Sequence, residues 1–332
     1  RIASHINALP SEIIFTSGGT EADNLVLRSC VKDLQVTHII TSKIEHHAVL
    51  HTVEQLVIDY GVVVSYVNVL ENGCIDYSHL EILLKSNQKT LVSLMHINNE
   101  IGSILDIQKV ADLCQANNVL FHSDTVQSVG HYYIDVKETP INFLVASAHK
   151  FHGPKGVGFV FIRKNSGLKS LIIGGTQERG IRAGTESIHD IVGLDEALSL
   201  SYEFLDIETS QVKDLKSHFI SELTTHIPGV KFNGSCSGLV NSTYTLVNVC
   251  LPVSASNAPM FLFQLDLKGI ACSKGSACQS GSGKGSHVLA EILNEDDMNK
   301  PSIRFSFSIY NTKQELDTVV AILKELIKDT NS

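Results

Sequence analysis

The 332-residue chain has no basic run, no long uninterrupted apolar span and no regular cysteine framework. Its formal net charge is -9 and its pI about 5.9. Nucleic acids and anionic membranes are gripped by concentrated Lys and Arg, so neither is expected as a partner. No stretch approaches the roughly 20 apolar residues that cross a bilayer, and no basic segment leads into an apolar one as in a secretion signal. The seven cysteines, Cys30, Cys74, Cys114, Cys236, Cys250, Cys272 and Cys278, are odd in number and scattered. That pattern fits free thiols in a reducing cytoplasm better than a disulfide scaffold. There is no internal repeat at solenoid or propeller spacing. A metal site is not expected either: His46 and His47 are adjacent and cannot share a helix face, and neither they nor His149 and His152 have a second Cys/His cluster at zinc spacing.

What is present is a substantial core, with 43% hydrophobic residues and a mean hydropathy of +0.11. In the first two hundred residues short apolar runs alternate with helical patterns. "EIIFTS" leads to a helix over Glu21–Cys30, "HIITS" to one over His47–Tyr60, and "TLVSLMH" to one over Ile107–Asn117; "VLFHSD" and "FLVAS" follow. Such alternation predicts parallel strands covered on both faces, with ligands at their carboxyl ends. Polar residues cluster there: Gly18, Gly19 and Thr20, then His46, Asn98 and Asn99, Asp124 and Gln127, and Lys150. After Gly193 one long helical pattern is expected to bridge two domains, 1–205 (α/β) and 206–332 (α+β). In the second, "TLVNVCL", "GIACS" and "IRFSF" read as strands and 258–267 and 313–327 as helices. A Gly/Ser-rich stretch, about 273–287, reads as a mobile loop carrying Cys278.

Each candidate has a bland counterpart. Lys150, in "SAHKFHGPKG", sits at a strand exit where partial desolvation would free a nucleophilic amine; otherwise it is a surface lysine. The glycine turn before a helix offers N–H groups to an anion, or serves packing alone. Asp124 needs a cationic or hydrogen-bonding partner at its buried strand end, or is an N-cap. Arg304 alternates with Ile303 and Phe305 and can aim a carboxylate fork into a cavity, or lie on an edge strand. Cys278 is more accessible in a Gly/Ser loop than in a strand, yet loop thiols are often incidental. "GSGKGS" imitates a phosphate loop but lacks its first glycine and its preceding strand.

Together "FTSGGTEADN", "SKIEHHAVL", "MHINNEIG", "FHSDTVQSVG", "SAHKFHGPKGVG", "GGTQERGIRAGTES", "GSACQS" and "SIRFSF" resemble, in order, the motifs of NifS/IscS-type cysteine desulfurases. These are pyridoxal-phosphate enzymes of the class V aminotransferase family. The resemblance implies the aspartate-aminotransferase-like fold type I, a PLP-dependent transferase with a mostly parallel large-domain sheet and a smaller α+β C-terminal domain. It implies that Lys150 carries the cofactor as a Schiff base and moves protons, Asp124 pairs with the ring nitrogen, Gln127 bonds the ring hydroxyl and His46 stacks on the ring. Gly19, Thr20, Ser147 and His149 would hold the phosphate, and Thr185 would reach the phosphate of a neighbouring subunit in a homodimer. Asn99 and Arg304 would hold the substrate carboxylate. Cys278 would take sulfur from L-cysteine as a persulfide, leave L-alanine, and pass the sulfur to an acceptor such as an iron–sulfur scaffold protein or a tRNA-sulfurating enzyme. A selenocysteine lyase, or a class V aminotransferase that does not need Cys278, is the alternative. Family members normally begin with a strand like "YLDNNATT" that this chain does not show, and Ala148 and Ala183 replace a frequent Gly and Ser.

Overall fold

The computed structural model describes residues 1–274 and 285–330, and the chain divides into two compact units. Unit 1 comprises Arg1–Asn68, Ile75–Ile97 and Leu105–Leu205; unit 2 comprises Val69–Cys74, Asn98–Ile104 and Asp206–Ser332.

Unit 1 runs α1 (Ile2–His5), β1 (Ile13–Thr16), α2 (Gly19–Leu34), β2 (His38–Ser42), α3 (His47–Tyr60), β3 (Val63–Val67), α4 (Tyr77–Leu83), β4 (Thr90–Ser93), α5 (Ile107–Ala116), β5 (Leu120–Asp124), β6 (Phe143–Ser147), β7 (Gly158–Ile162) and α6 (Ile188–Glu203). Its seven strands lie in the order β1-β7-β6-β5-β4-β2-β3. The strands are short, rich in Val, Ile and Phe, and feed two cores by simple alternation. Ile40, Val92, Phe121, Leu144, Phe159 and Phe161 pack on one face, and Ile39, Leu91, Phe143, Val145 and Val160 on the other with α2 and α3. Helix boundaries have local causes. Asp76 and Asp106 accept backbone N–H groups at the starts of α4 and α5, and Gly61, at φ 66°, ends α3 in the left-handed region.

The sheet is mostly but not wholly parallel. β2, β3, β4, β5 and β6 pair in parallel, whereas β7 runs antiparallel to both β6 and β1. The β6–β7 connection, residues 148 to 157, is too short for the helical crossover that a parallel pair requires, so β7 returns as a hairpin. β1, paired on the far side of β7, therefore points the same way as the others. The carboxyl ends of β1, β2, β4, β5 and β6 thus share one edge, as expected of a ligand site. The sequence pattern overlooked β3, an edge strand with only one fully buried residue.

α7 (Leu205–His226) begins at the last residue of unit 1, and β8 (Lys231–Phe232), β9 (Leu246–Cys250), α8 (Ala258–Leu267), α9 (His287–Ala290), α10 (Glu295–Met298), β10 (Ser302–Ser306) and α11 (Lys313–Thr330) complete unit 2. Its sheet is antiparallel, β10-β9-β8. Two expectations are corrected here. The single long bridging helix is two, separated at Phe204: α6 buries Leu194 and Leu198 in the core of unit 1, whereas along α7 Val212, Leu215, Phe219 and Leu223 are buried within unit 2. "GIACS" is not a strand. The chain leaves α8 through left-handed Gly269, and only Ser273 reaches bridging register, with Arg304.

Candidate active site

The strand exits of unit 1 gather most of the predicted residues. At the end of β1, Thr16 Oγ1 donates to the Gly18 carbonyl at 3.0 Å and closes a tight turn into α2. Gly18 sits at φ 147°, a conformation that side-chain-bearing residues avoid. Gly158 opens β7 directly beneath it: a Cβ there would lie 2.4 Å from the Ala146 carbonyl and 2.9 Å from Gly18 Cα. Over the turn lies a cavity of about 310 Å³, lined by Ser17, Gly18, Gly19, Thr20, Glu21, Ser147, His149, Lys155 and Gly156. Gly19, Thr20, Ser147 and His149 thus line one hollow at the N-terminus of a 16-residue helix, whose first N–H groups have no intrahelical acceptor. Ser147 Oγ and His149 Nδ1 are 3.0 Å apart. Burial, with the neighbouring Lys150 and Lys155, holds His149 below its ordinary pKa. An adjoining cavity of about 150 Å³ shares Ser17 and Gly156 and contains Thr185.

Asp124 ends β5, is buried, and accepts the Val126 N–H at 2.9 Å. Burial pushes its carboxyl up, while the cationic forms of His46 and Lys150 and the Val126 N–H pull it back down. His46 caps α3 by accepting the Ala48 N–H at 3.1 Å, which fixes its ring at the exit of β2. Gln127 lies half-buried three residues beyond Asp124. Lys150 ends a 3-10 turn after β6. Its position agrees with expectation but its environment does not: the side chain is exposed, because the turn lifts it clear of the buried strand. Desolvation by the protein core is therefore not what prepares this amine. In unit 2, Arg304 Nη1 donates to the Asn99 carbonyl at 2.6 Å, which joins the two residues expected to hold a carboxylate. Cys278 lies outside the described residues.

Several residues here escaped the sequence reading. Glu45, next to His46, is buried and ties β2 to β4: Ser42 Oγ donates to its Oε1 at 2.7 Å and the Met95 N–H to its Oε2 at 2.9 Å. Burial pushes it up to about 8. His122, on the same face of β5 as Asp124, has its Nδ1 2.9 Å from Ser93 Oγ and its Nε2 3.4 Å from Asp23 Oδ1 of α2. Burial lowers His122 to about 3, and burial with the nearby Asp124 and Glu45 carboxyls raises Asp23 well above its ordinary value. The His131 ring places Nε2 2.8 Å from the Lys150 carbonyl oxygen. The alternation of β5 was the available signal for His122, since residues two apart on a strand share a face.

A buried carboxyl at a strand end, a close-packed glycine turn opening onto a helix N-terminus and a lysine on the neighbouring strand exit are the features that the resemblance assigns to a phosphorylated pyridine cofactor. The comparisons agree. The family description "Aminotransferase class-V" matches residues 1–319. "Cysteine desulfurase IscS" of Dictyoglomus turgidum is 39% identical over 333 residues, covering 99% of this chain and 82% of the relative. A solved structure described as "NIFS-LIKE PROTEIN" superposes with a TM-score of 0.88 at 32% identity, covering 99% of this chain and 85% of that one. Another, "SspA in complex with cysteine", does so with a TM-score of 0.79 at 32% identity, over 94% and 85%. The chain belongs to the aminotransferase class-V family, which uses pyridoxal phosphate, and within it to the IscS/NifS type.

Proposed function

We infer that this chain is a pyridoxal-phosphate-dependent cysteine desulfurase, converting L-cysteine to L-alanine and retaining the sulfur for transfer. The observation that carries the reading is the pairing of the 310 Å³ glycine-turn cavity with buried Asp124 on the same sheet edge. The residues present fit the cofactor. A Cβ at Gly158 would strike the Ala146 carbonyl and the Gly18 backbone, so the turn that floors the cavity needs glycine there, and burial raises the carboxyl of Asp124 as befits a group awaiting a cationic ring nitrogen. When bound, pyridoxal phosphate supplies the electron sink that lets bonds at the amino acid's carbon skeleton break.

The chain's residues would divide the remaining work. Gly19, Thr20, Ser147 and His149 hold the phosphate, with Thr185 contributing to a neighbouring subunit's site in a homodimer. Asp124 keeps the ring nitrogen protonated, His46 covers the ring face and Gln127 bonds the ring hydroxyl. Lys150 anchors the cofactor covalently and then moves a proton at the substrate α-carbon. Asn99 and Arg304 orient the substrate carboxylate, a planar group matched by the guanidinium fork. Cys278 takes the substrate sulfur as a persulfide, a role that rests on its sequence context alone. Delivery to an acceptor such as an iron–sulfur scaffold protein would follow. A cytoplasmic setting is supported by the free state of the six described cysteines. Among the described residues no helix is long and apolar enough to cross a membrane.

The test is to incubate the purified chain with L-cysteine, pyridoxal phosphate and a thiol reductant. Equal yields of alanine and sulfide, lost in Cys278→Ser without loss of the cofactor's absorbance, are expected. Sulfide production unchanged by that substitution would remove Cys278 from the scheme, and absence of both products would overturn the reading.

A further inference from the structure

The cavity assigned to the phosphate contains an acid. Glu21, in the first turn of α2, lines it beside Gly19, Thr20 and Ser147. Its Oε2 accepts the Ser17 N–H at 2.8 Å, so one backbone donor of the turn is already taken. The Gly18 N–H is engaged as well, with Thr16 Oγ1 at 3.3 Å. The helix N–H groups of Gly19 and Thr20 remain for an anion.

A carboxylate beside a phosphate dianion opposes binding unless its charge is cancelled. Arg182 supplies the cancellation. Its Nε lies 2.8 Å from Glu21 Oε1 and its Nη2 3.2 Å from Oε2, a two-pronged pair with side chains only 24% and 13% exposed. Burial alone would raise the Glu21 carboxyl, yet Arg182 and the Ser17 donors hold it below its ordinary value. Glu178 and Glu186 also act on Arg182, so the guanidinium is the cation at the centre of three acids. Arg179, the other arginine of this segment, is committed to the Ile13 and Pro10 carbonyls.

We propose that Arg182 is a positioning residue for the cofactor phosphate: by neutralising Glu21 it lets that carboxylate shape the Ser17 turn while the cavity stays favourable to a dianion. The proposal rests on the pyridoxal-phosphate reading of the site. It concerns the phosphate and not the ring, and that difference makes it testable.

The cofactor-depleted full-length chain and its variants would be titrated with pyridoxal phosphate and, separately, with pyridoxal, followed by absorbance. Arg182→Ala is expected to weaken pyridoxal phosphate about tenfold or more and pyridoxal by less than about twofold, because only the phosphate meets the uncovered carboxylate. Glu21→Gln/Arg182→Ala is expected to regain wild-type affinity to within about threefold, since Glu21 is the acid that lines the phosphate cavity, whereas Glu178 and Glu186 line the adjoining one. Glu21→Gln alone keeps an oxygen for the Ser17 N–H and should bind pyridoxal phosphate at least as tightly as wild type. If Arg182 merely straps its segment down, the double variant binds as poorly as Arg182→Ala and both ligands suffer alike; that result, or weaker binding by Glu21→Gln, overturns the proposal. A wild-type chain that takes up neither ligand would overturn the cofactor reading itself along with it.

Discussion

The two units each contain a lysine that invites attention, and they treat it in opposite ways. Lys216 of α7 is fully buried in unit 2, and burial pushes it down to about 8, the property often sought in a catalytic amine. Its Nζ, however, donates to the Gly238 carbonyl at 3.2 Å, Ser242 Oγ at 2.7 Å and the Thr243 carbonyl at 2.7 Å, which uses all three donors of an ammonium. Lys150 of unit 1 is exposed and stands at the edge where the parallel strands end together. A perturbed lysine with every donor engaged is a structural clamp. Under the proposed reading the reactive one is Lys150, which keeps the company of strand ends, a close-packed glycine turn and a buried acid.

The sharpest way to break this contrast is to remove each lysine in turn. Lys150→Ala should reduce alanine and sulfide formation by about 10³-fold or more, since covalent anchoring and proton transfer vanish together, and leave the urea midpoint unchanged. Lys216→Met should do the reverse. It strands buried acceptors and is expected to cost about 3 kcal/mol in urea unfolding, with activity per folded molecule retained. Activity lost at unchanged stability in Lys216→Met would erase the distinction.

The same contrast explains what could be read from the sequence. Strand and helix positions were legible wherever burial enforces alternation, as in β2, β5 and β6, and so were the polar residues that punctuate strand ends. What failed depended on partners distant in sequence. The reversal of β7 is fixed by the length of a turn, the break at Phe204 by a change in which core receives the helix, and the fate of "GIACS" by a single register contact. Glu45 was invisible for a related reason: a glutamate between Ile44 and His46 reads as solvated until the chain just after β4 places the Met95 N–H against it. Arg182 and Glu21 are 161 residues apart. Eight ordered motifs still carried the family, because each is a local string that can be read without a partner distant in sequence.

Glu45 sharpens the comparison through pH. Its carboxyl is raised from 4.5 to about 8 in the folded state, so between those values the folded chain holds a proton that the unfolded chain has released. Stability from this group is therefore full below about pH 4.5 and falls as pH rises toward 8. Glu45→Gln, which retains an acceptor for the Met95 N–H, should flatten the stability loss between pH 5 and pH 8 by about 3 kcal/mol. An unaltered pH profile would mean that Glu45 is ionised in place, and the strand ends of unit 1 would then be less like a low-dielectric site than their geometry indicates.

The smallest effect is expected at His131, and it probes how an exposed lysine keeps its aim. The direction of an exposed side chain depends in part on the backbone that carries it. Here the His131 Nε2–H donates to the Lys150 carbonyl at 2.8 Å and holds the end of the 3-10 turn, whereas Lys216 is held by its own Nζ. His131→Ala should cost about 1 kcal/mol of stability, the worth of one ordinary hydrogen bond, and lower kcat about threefold with KM unchanged. His131→Gln can present an N–H to the same carbonyl and should recover most of kcat. Recovery by Gln would separate aiming of Lys150 from mere space-filling at position 131, because a packing defect would respond to volume and not to the donor. Equal losses in both variants would instead place the control of Lys150 in the 3-10 turn itself.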